Sequence, residues 1–493
     1  MFMGIDLGTS SVKVLLVDDA GAPVDEAAVP LTLSRPRPLW SEQDPQDWWD
    51  ATCQAVGILK GRRSLDAVAG IGLSGQMHGA VLLDSDDQVL RPAILWNDGR
   101  AGEECRELEL REPASREITG NLAMPGFTAP KLLWVAKNEP DLFKRIARVL
   151  LPKDWLRLKL TGEAVSDPSD AAGTLWLDVE KRQWSPEMLA ATALDERQMP
   201  RLVEGTEVSG RLTAEAAAAL RLRSGIPVAG GGGDNAAGAV GIGVVRPDRA
   251  FVSLGTSGVI FVADSVLKKD PEWAVHAFCH CIPGMWHRMA VILSAAATLS
   301  FTARLAGTDE ASLLAETEAA GIFPRAHSRL VFLPYLSGER TPHNDPTATG
   351  VIFGLDGATT RADLGRAALE GVAFALADGL EALEAKGGGI GTLSVIGGGA
   401  RSRLWGRILS SALQRPLTYH RGGELGPALG AARLARIAAA GVSVDEACPA
   451  PVVSHVIEPE ADLAESLATR RALFRDLYSS LKPAFSASVP INR

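Results

Sequence analysis

The sequence predicts an α/β protein built from two related lobes, and three observations carry that prediction. A chain of 493 residues exceeds one ordinary core, at roughly 150 residues per domain. The pattern Leu7-Gly8-Thr9-Ser10 with Val12 returns as Leu254-Gly255-Thr256-Ser257 with Val259, at an offset of 247, half the chain. Strand-like apolar stretches alternate with helical patterns and end in glycine clusters, where α/β proteins tend to bind ligands.

Each element follows from local chemistry. Met3 to Leu7 and Val12 to Val17 flank the first Gly-Thr-Ser and read as a hairpin. Asp44-Pro45 with Asp47 is an N-cap, a proline in the first turn and an early acid, opening a helix through Trp48, Ala55 and Ile58. Val68 to Leu73 is a strand; Gln76-Met77-His78-Gly79 then leads into a second strand, Ala80 to Leu83. Helical periodicity returns at Pro130 to Val135. Pro227 to Ala229 is a strand running through four glycines into Asp234-Asn235 and a small-residue helix, Ala236 to Ile242. The second hairpin joins Phe251–Leu254 to Val259–Val262. Asp363 to Leu383 is helical, and Leu393 to Ile396 is a strand before Gly397-Gly398-Gly399. Leu463, Leu467, Phe474, Leu477 and Leu481 share one face of a terminal helix. Residues 1–245, 246–440 and 441–493 are expected as a first lobe, a second lobe and a helical tail packed on it, with the break near Val245 to Asp248.

Composition narrows the function. A formal charge of -9 with no dense Lys/Arg stretch argues against nucleic acid, whose backbone is gripped by clustered cations. The first residues lack the positive start of a signal peptide, and apolar stretches are broken before the ~20 residues of a membrane span. Five cysteines make no disulfide framework, so a soluble cytoplasmic protein is expected. His276, Cys279, His280, Cys281 and His287 invite a metal reading. Period two, however, sends Cys279 and Cys281 to one face and His280 to the other, so the cysteines read as buried small hydrophobes.

Gly-Thr-Ser turns expose backbone N–H groups in the concave arrangement that binds phosphate, and two of them could grip the ends of a polyphosphate. Asp6 beside the first nest needs a cation between itself and a phosphate, hence an Mg²⁺ role through water. Asp234, on a strand-to-helix turn at the interlobe boundary, is placed as a general base for a substrate hydroxyl in phosphoryl transfer. His78 and the loop from Trp96 to Arg100 are candidate ligand contacts, and the cluster after Ile396 suits a flat base or ribose lying on backbone.

At these residues the sequence resembles the FGGY family of carbohydrate kinases. The resemblance rests on GIDLGTSSVK, PLWSEQDP, GLSGQMHG, ILWNDGR, GNLAMPGFTAPKLLW, LPKDWLRLKLTGE, SDAAGTLWLDV, GGGDNAAGAVG, LGTSGV, FLPYLSGERTPHNDP and GGGAR in this order. It implies two actin-like (ribonuclease H-like) lobes around a cleft and ATP with Mg²⁺ as cofactors. The partners it implies are a small sugar, with neither nucleic acid nor membrane, and a homodimer is the candidate assembly. By the same resemblance Asp234 and Asp6 are catalytic, Asp6 on the metal side, and Met77, His78, Asp234 and Asn235 hold the sugar. Gly8, Thr9, Gly255, Thr256, Gly398, Gly399 and Arg403 hold the nucleotide. The Met77-His78 pair argues for a ketopentose phosphorylated on its 5-hydroxyl. The alternatives are another ketose or polyol, such as ribulose, gluconate or glycerol, or a non-catalytic sugar sensor.

Overall fold

A computed structural model describes residues 1–247, 249–323, 329–387, 389–421 and 426–487, so Asp248 at the expected break lies outside the described residues. Two seven-stranded sheets carry the chain's two halves. In the first, β1 (Phe2–Leu7), β2 (Ser11–Val17) and β3 (Pro23–Pro30) form an antiparallel meander. β4 (Gly70–Gly75) adds parallel to β1, followed by β5 (Val208–Arg211) at the edge and β6 (Pro227–Ala229) between it and β4. Gly232–Gly233 also pairs with β4.

The second sheet repeats this scheme. β7 (Ala250–Leu254) and β8 (Gly258–Asp264) form the second hairpin, with β9 (His276–Cys279) and β10 (Trp286–Ile292) beyond β8. β11 (Leu393–Ile396) adds parallel to β7, then come β12 (Leu417–His420) and β13 (Val453–Ile457). Both halves thus share three antiparallel strands with parallel strands added to the first of them, the actin-like arrangement, and in the second half β9 is inserted in the chain between β8 and β10. The tail residues contribute more than a helix, since β13 closes the edge of the second sheet.

The helix Pro45–Arg62 starts as its sequence dictates: Asp44 accepts a hydrogen bond from Gln46 N at 2.9 Å, and Pro45 and Asp47 occupy the first turn. Its Trp48 and Ala55 cover Met3, Ile5 and Leu7 on one face of β1. Period two sends Phe2, Gly4 and Asp6 to the opposite face. There the helix Gly426–Ala440 crosses back from the far end of the chain and lies on β1 and β4. It sits so close that a Cβ on Gly4 would lie 2.0 Å from Ala428 O, and one on Gly72 only 1.8 Å from Ala431 O.

The same helix packs on Asp234–Gly241 with equal intimacy: a Cβ on Gly430 would be 1.7 Å from Ala237 O, and one on Gly241 2.3 Å from Gly426 O. The alanine- and glycine-rich sequence of both helices is what lets their backbones touch. The terminal helix Ala461–Ala487 lies on the second lobe, where Arg470 pairs with Glu370, and Arg471 and Arg475 with Asp378. Among the described residues, no helix is long and apolar enough to cross a membrane.

Gly430→Ala should lower the thermal midpoint, because overpacking a close contact typically costs about 1–3 kcal/mol. Gly57→Ala, in an exposed helix position with nothing within 4 Å, should be neutral or slightly stabilising. Equal effects of the two changes would refute the packing argument.

Candidate active site

A cavity of about 230 Å³ opens between the lobes and gathers residues from both halves, among them Met77, His78, Asp234, Asn235 and Gly255. Its acidic side is built by strand register. Across the first sheet Lys13 is opposite Asp6, Asp6 beside Ser74, and Ser74 beside Gly232, so Asp234 emerges just beyond the end of that row. The turn before Asp234 tolerates no side chains. Gly231 has a left-handed φ of 72°, and a Cβ there would lie 2.1 Å from Leu73 O. A Cβ on Gly232 would lie 2.1 Å from Cys281 Sγ.

Buried polar groups hold this turn from behind. Arg157 donates to Ala229 O at 2.6 Å and also to Gly230 O, while Gly233 N donates to Ser169 Oγ at 3.2 Å. Lys153 Nζ lies 3.0 Å from Asp167 and 3.4 Å from Asp170, all of them fully buried. The motifs containing these residues were legible, but sequence reasoning gave Lys153, Arg157, Asp167, Ser169 and Asp170 no role.

Asp234 opens the helix Asp234–Gly241, and its Oδ1 accepts from Asn235 N at 2.7 Å and Asn235 Nδ2 at 2.9 Å. Those bonds favour the carboxylate, as does the helix N-terminus. Burial and the charge of Asp6 prevail and push its pKa up to about 7. Burial likewise raises Asp6 to about 6, against the nearby Ser74 hydroxyl and the charge of Lys13, and its buried Oδ1 has no hydrogen-bond partner among the described residues. The charge of Asp6 thus makes Asp234 harder to ionise.

Met77 and His78 line the same cavity, with Met77 packed against Gly233. His78 holds φ at 68°, and its Nδ1 lies 2.6 Å from Gly173 O. Since a carbonyl only accepts, Nδ1 carries the hydrogen and Nε2 remains an acceptor. Burial drives the His78 pKa down to about 3, so the ring is neutral. Phe127 packs edge-on at 4.7 Å between ring centres. Gly173 and Gly233 make the room: a Cβ on Gly173 would be 2.5 Å from His78 Nδ1, and one on Gly233 2.8 Å from Met77 Cγ.

The first hairpin loop is tied to the flagged motifs around it. Trp96 Nε1 donates to Thr9 Oγ1 at 2.9 Å, Thr9 Oγ1 donates to Gln76 at 3.0 Å, and Gln43 Nε2 donates to Thr9 O at 2.8 Å. Gly8 N closes the turn onto Ser11 O at 3.0 Å. In the second hairpin, the carbonyls of Gly255 and Thr256 accept from Ala296 N and Ala295 N, each at 2.9 Å. The repeat places Ser253 where the first half has Asp6, and Ser253 lines the cavity, so one lobe presents an acid and the other a hydroxyl.

Gly398, Gly399 and Arg403 fall outside this cavity, behind the second hairpin. Gly397, with φ at 88°, and Gly399 both abut Leu254, and a Cβ on either would come within 2.8 Å of it. Arg340, His276, Phe127 and Phe278 also line the cavity and were not singled out as ligand contacts. Their segments lie far apart in sequence, and only the fold brings them together. Cys279 and Cys281 are buried, and among the described residues no group of three or more His, Cys, Asp or Glu side chains could hold a metal.

Known proteins share this architecture along the whole chain. A xylulose kinase from Escherichia coli K12 is 52% identical over 485 residues, covering 98% of this chain and 99% of the relative. The crystal structure of a xyloylose kinase from Brucella ovis superposes with a TM-score of 0.93 at 51% identity, over 98% of this chain and 99% of that one. A xylulose kinase from Rhodospirillum rubrum gives 0.88 at 32%, with the same coverage. The N-terminal domain of the FGGY family of carbohydrate kinases matches residues 1–241 and its C-terminal domain residues 250–439. With both domains in this order and the relatives matched nearly end to end, the chain belongs to the FGGY family of carbohydrate kinases.

Proposed function

We propose that the protein transfers the γ-phosphoryl group of ATP to the 5-hydroxyl of D-xylulose, with Asp234 as the general base. The observation that carries this reading is a buried acid with a pKa near 7 on the wall of an interlobe cavity that it shares with a neutral histidine. A base works best when its pKa lies near the working pH, because it is then both largely ionised and still able to hold a proton. Full-length relatives named xylulose kinase support the choice of sugar.

Sugar recognition falls to Met77, His78, Asp234 and Asn235, which share the cavity. Nucleotide phosphates are assigned to the two hairpin loops through Gly8, Thr9, Gly255 and Thr256. Thr9 would act through its backbone, its hydroxyl being engaged by Trp96 and Gln76. The adenosine side is assigned to Gly398, Gly399 and Arg403, which lie next to the second loop. In this division Met77, His78, Asp234 and Asn235 of the first lobe take the sugar, the adenosine side lies in the second lobe, and the phosphates lie between the two hairpin loops.

Magnesium fits the corner at Asp6, where a sealed carboxylate oxygen has no protein partner. With no cluster of protein ligands beside it, Asp6 would hold the ion together with phosphate oxygens and water. When bound, the ion neutralises charge on the transferring phosphoryl group. The chain's own residues do the rest: the Gly230–Gly233 turn orients Asp234, Asp234 Oδ takes the proton from the sugar oxygen, and the apolar wall of Phe127 and Phe278 excludes water.

Asp234→Asn should leave the melting curve near that of the wild type while cutting xylulose-dependent ATP consumption by about 10²–10⁴-fold, the usual contribution of a general base. Substantial remaining turnover would sink the base assignment.

The same acid sets a pH dependence. Its ionised form accepts the proton, so kcat/KM for the sugar should fall as pH drops through about 7, and further as Asp6 protonates near 6. A profile flat from pH 8 down to 5 would contradict it.

Gly173→Ala forces His78 to move, so the KM for xylulose should rise while that for ATP holds steady. Both rising together would count against a sugar-side role for His78.

A further inference from the structure

Arg340 closes the end of the cavity where His78 stands. It lines the cavity, its charge acts on both His78 and His276, and its Nη1 lies 3.4 Å from His276 Nε2. Among the described residues it forms no ion pair with a carboxylate. The acid whose charge acts on it is Glu339, whose Oε1 is already taken by the backbone N–H groups of Arg340 at 2.7 Å and Leu293 at 3.0 Å. A guanidinium has five N–H donors in a fixed fork. Most of those donors remain for whatever enters the cavity.

Its orientation is set by a relay that crosses the lobes. Asn121 Nδ2 donates to Thr119 O at 2.7 Å and Ala277 O at 2.8 Å, and its Oδ1 accepts from Ala277 N at 3.3 Å, which fixes the sense of the amide. That Oδ1 lies 3.1 Å from His276 Nδ1 and can only accept, so His276 carries its hydrogen on Nδ1. Burial keeps His276 neutral. Its Nε2 is left with a lone pair facing Arg340. The two polar groups at this end of the cavity are therefore opposite in kind: His78 Nε2 can only accept, and Arg340 can only donate.

We propose that Arg340 is a specificity-determining residue that donates to the ketone oxygen of the sugar, while His78 Nε2 accepts from the neighbouring hydroxyl. An α-hydroxyketone matches this pair group for group, because its carbonyl only accepts and its hydroxyl can donate. Reducing the ketone makes C2 tetrahedral and adds a hydroxyl proton for which Arg340 offers no acceptor, so the alcohol oxygen, still able to accept, sits off the planar carbonyl position and leaves a donor unpaired. The inference rests on the ketose-kinase reading above. It adds that the C1–C2 end of the sugar points away from Asp234, toward the Asn121–His276–Arg340 relay.

The test compares wild type, Arg340→Gln and Arg340→Lys on D-xylulose and on xylitol and D-arabinitol, the two alcohols formed by reducing it at C2. Slow alcohols are measured as competitive inhibitors. Arg340→Gln should lower kcat/KM on D-xylulose roughly 10- to 100-fold, as expected for losing a charged hydrogen bond. The loss should come mainly through the sugar KM, with the KM for ATP and the affinity for both alcohols nearly unchanged. Arg340→Lys, which keeps the charge without the fork, should recover part of the loss, and it decides the question if Arg340→Gln melts early. Equal losses on ketose and alcohols, or no loss on the ketose, would overturn the role of Arg340 and leave the kinase reading standing. A wild type that phosphorylates none of the three would overturn both.

Discussion

Everything in the active cleft depends on backbone carbonyls standing where side chains would otherwise be. The helix Gly426–Ala440 rests on Gly4 and Gly72 of the first sheet on one side and on the helix Asp234–Gly241 on the other, with Ala428 O, Ala431 O and Ala237 O at the contacts. Those contacts fix the height of Asp234 above the strand that carries Asp6. A single methyl group at any of them would push the helix that carries Asp234 away from the sheet, and the distance between the two acids would change with it.

That spacing explains the electrostatics. Burial raises both carboxyl groups well above the ordinary carboxylate range, and the charge of Asp6 adds to the shift of Asp234. A helix N-terminus and the amide of Asn235 work in the other direction and keep Asp234 from becoming permanently protonated. The result is a carboxyl group with its pKa near 7, close to the buried oxygen of Asp6. Beneath it, Lys153 and Arg157 carry the buried charge of Asp154, Asp167 and Asp170, so the turn is held by ionic and backbone bonds rather than by apolar packing. The chain's net acidity is thus compatible with phosphate chemistry, because the positive field at the site is local.

Much of this was legible in the sequence because it is encoded over short distances. The Gly-Thr-Ser hairpins, the Asp44-Pro45 helix start and the glycine run before Asp234 are each decided by a handful of neighbouring residues, and each forms where expected. The repeat at 247 also foretold two sheets of one topology. What stayed hidden depends on long-range contacts. Gly426–Ala440 reads as one more small-residue helix of the second half, and only its packing shows that it completes the first lobe. Arg340, His276 and Asn121 come from three distant segments, and no local pattern joins them. The buried cations at Lys153 and Arg157 look like ordinary surface charges in an amphipathic helix until the fold encloses them.

The claim that burial, with the charge of Asp6 added to it, lifts the Asp234 carboxyl toward neutrality can be measured on the group itself. Titration of the Asp234 side-chain carbon by ¹³C NMR, in the wild type and in Asp6→Asn, reads it without reference to turnover. The account predicts a midpoint near 7 in the wild type and a clear downward shift once the neighbouring charge is removed. An ordinary carboxylate midpoint in the wild type, or one unmoved by Asp6→Asn, would contradict it.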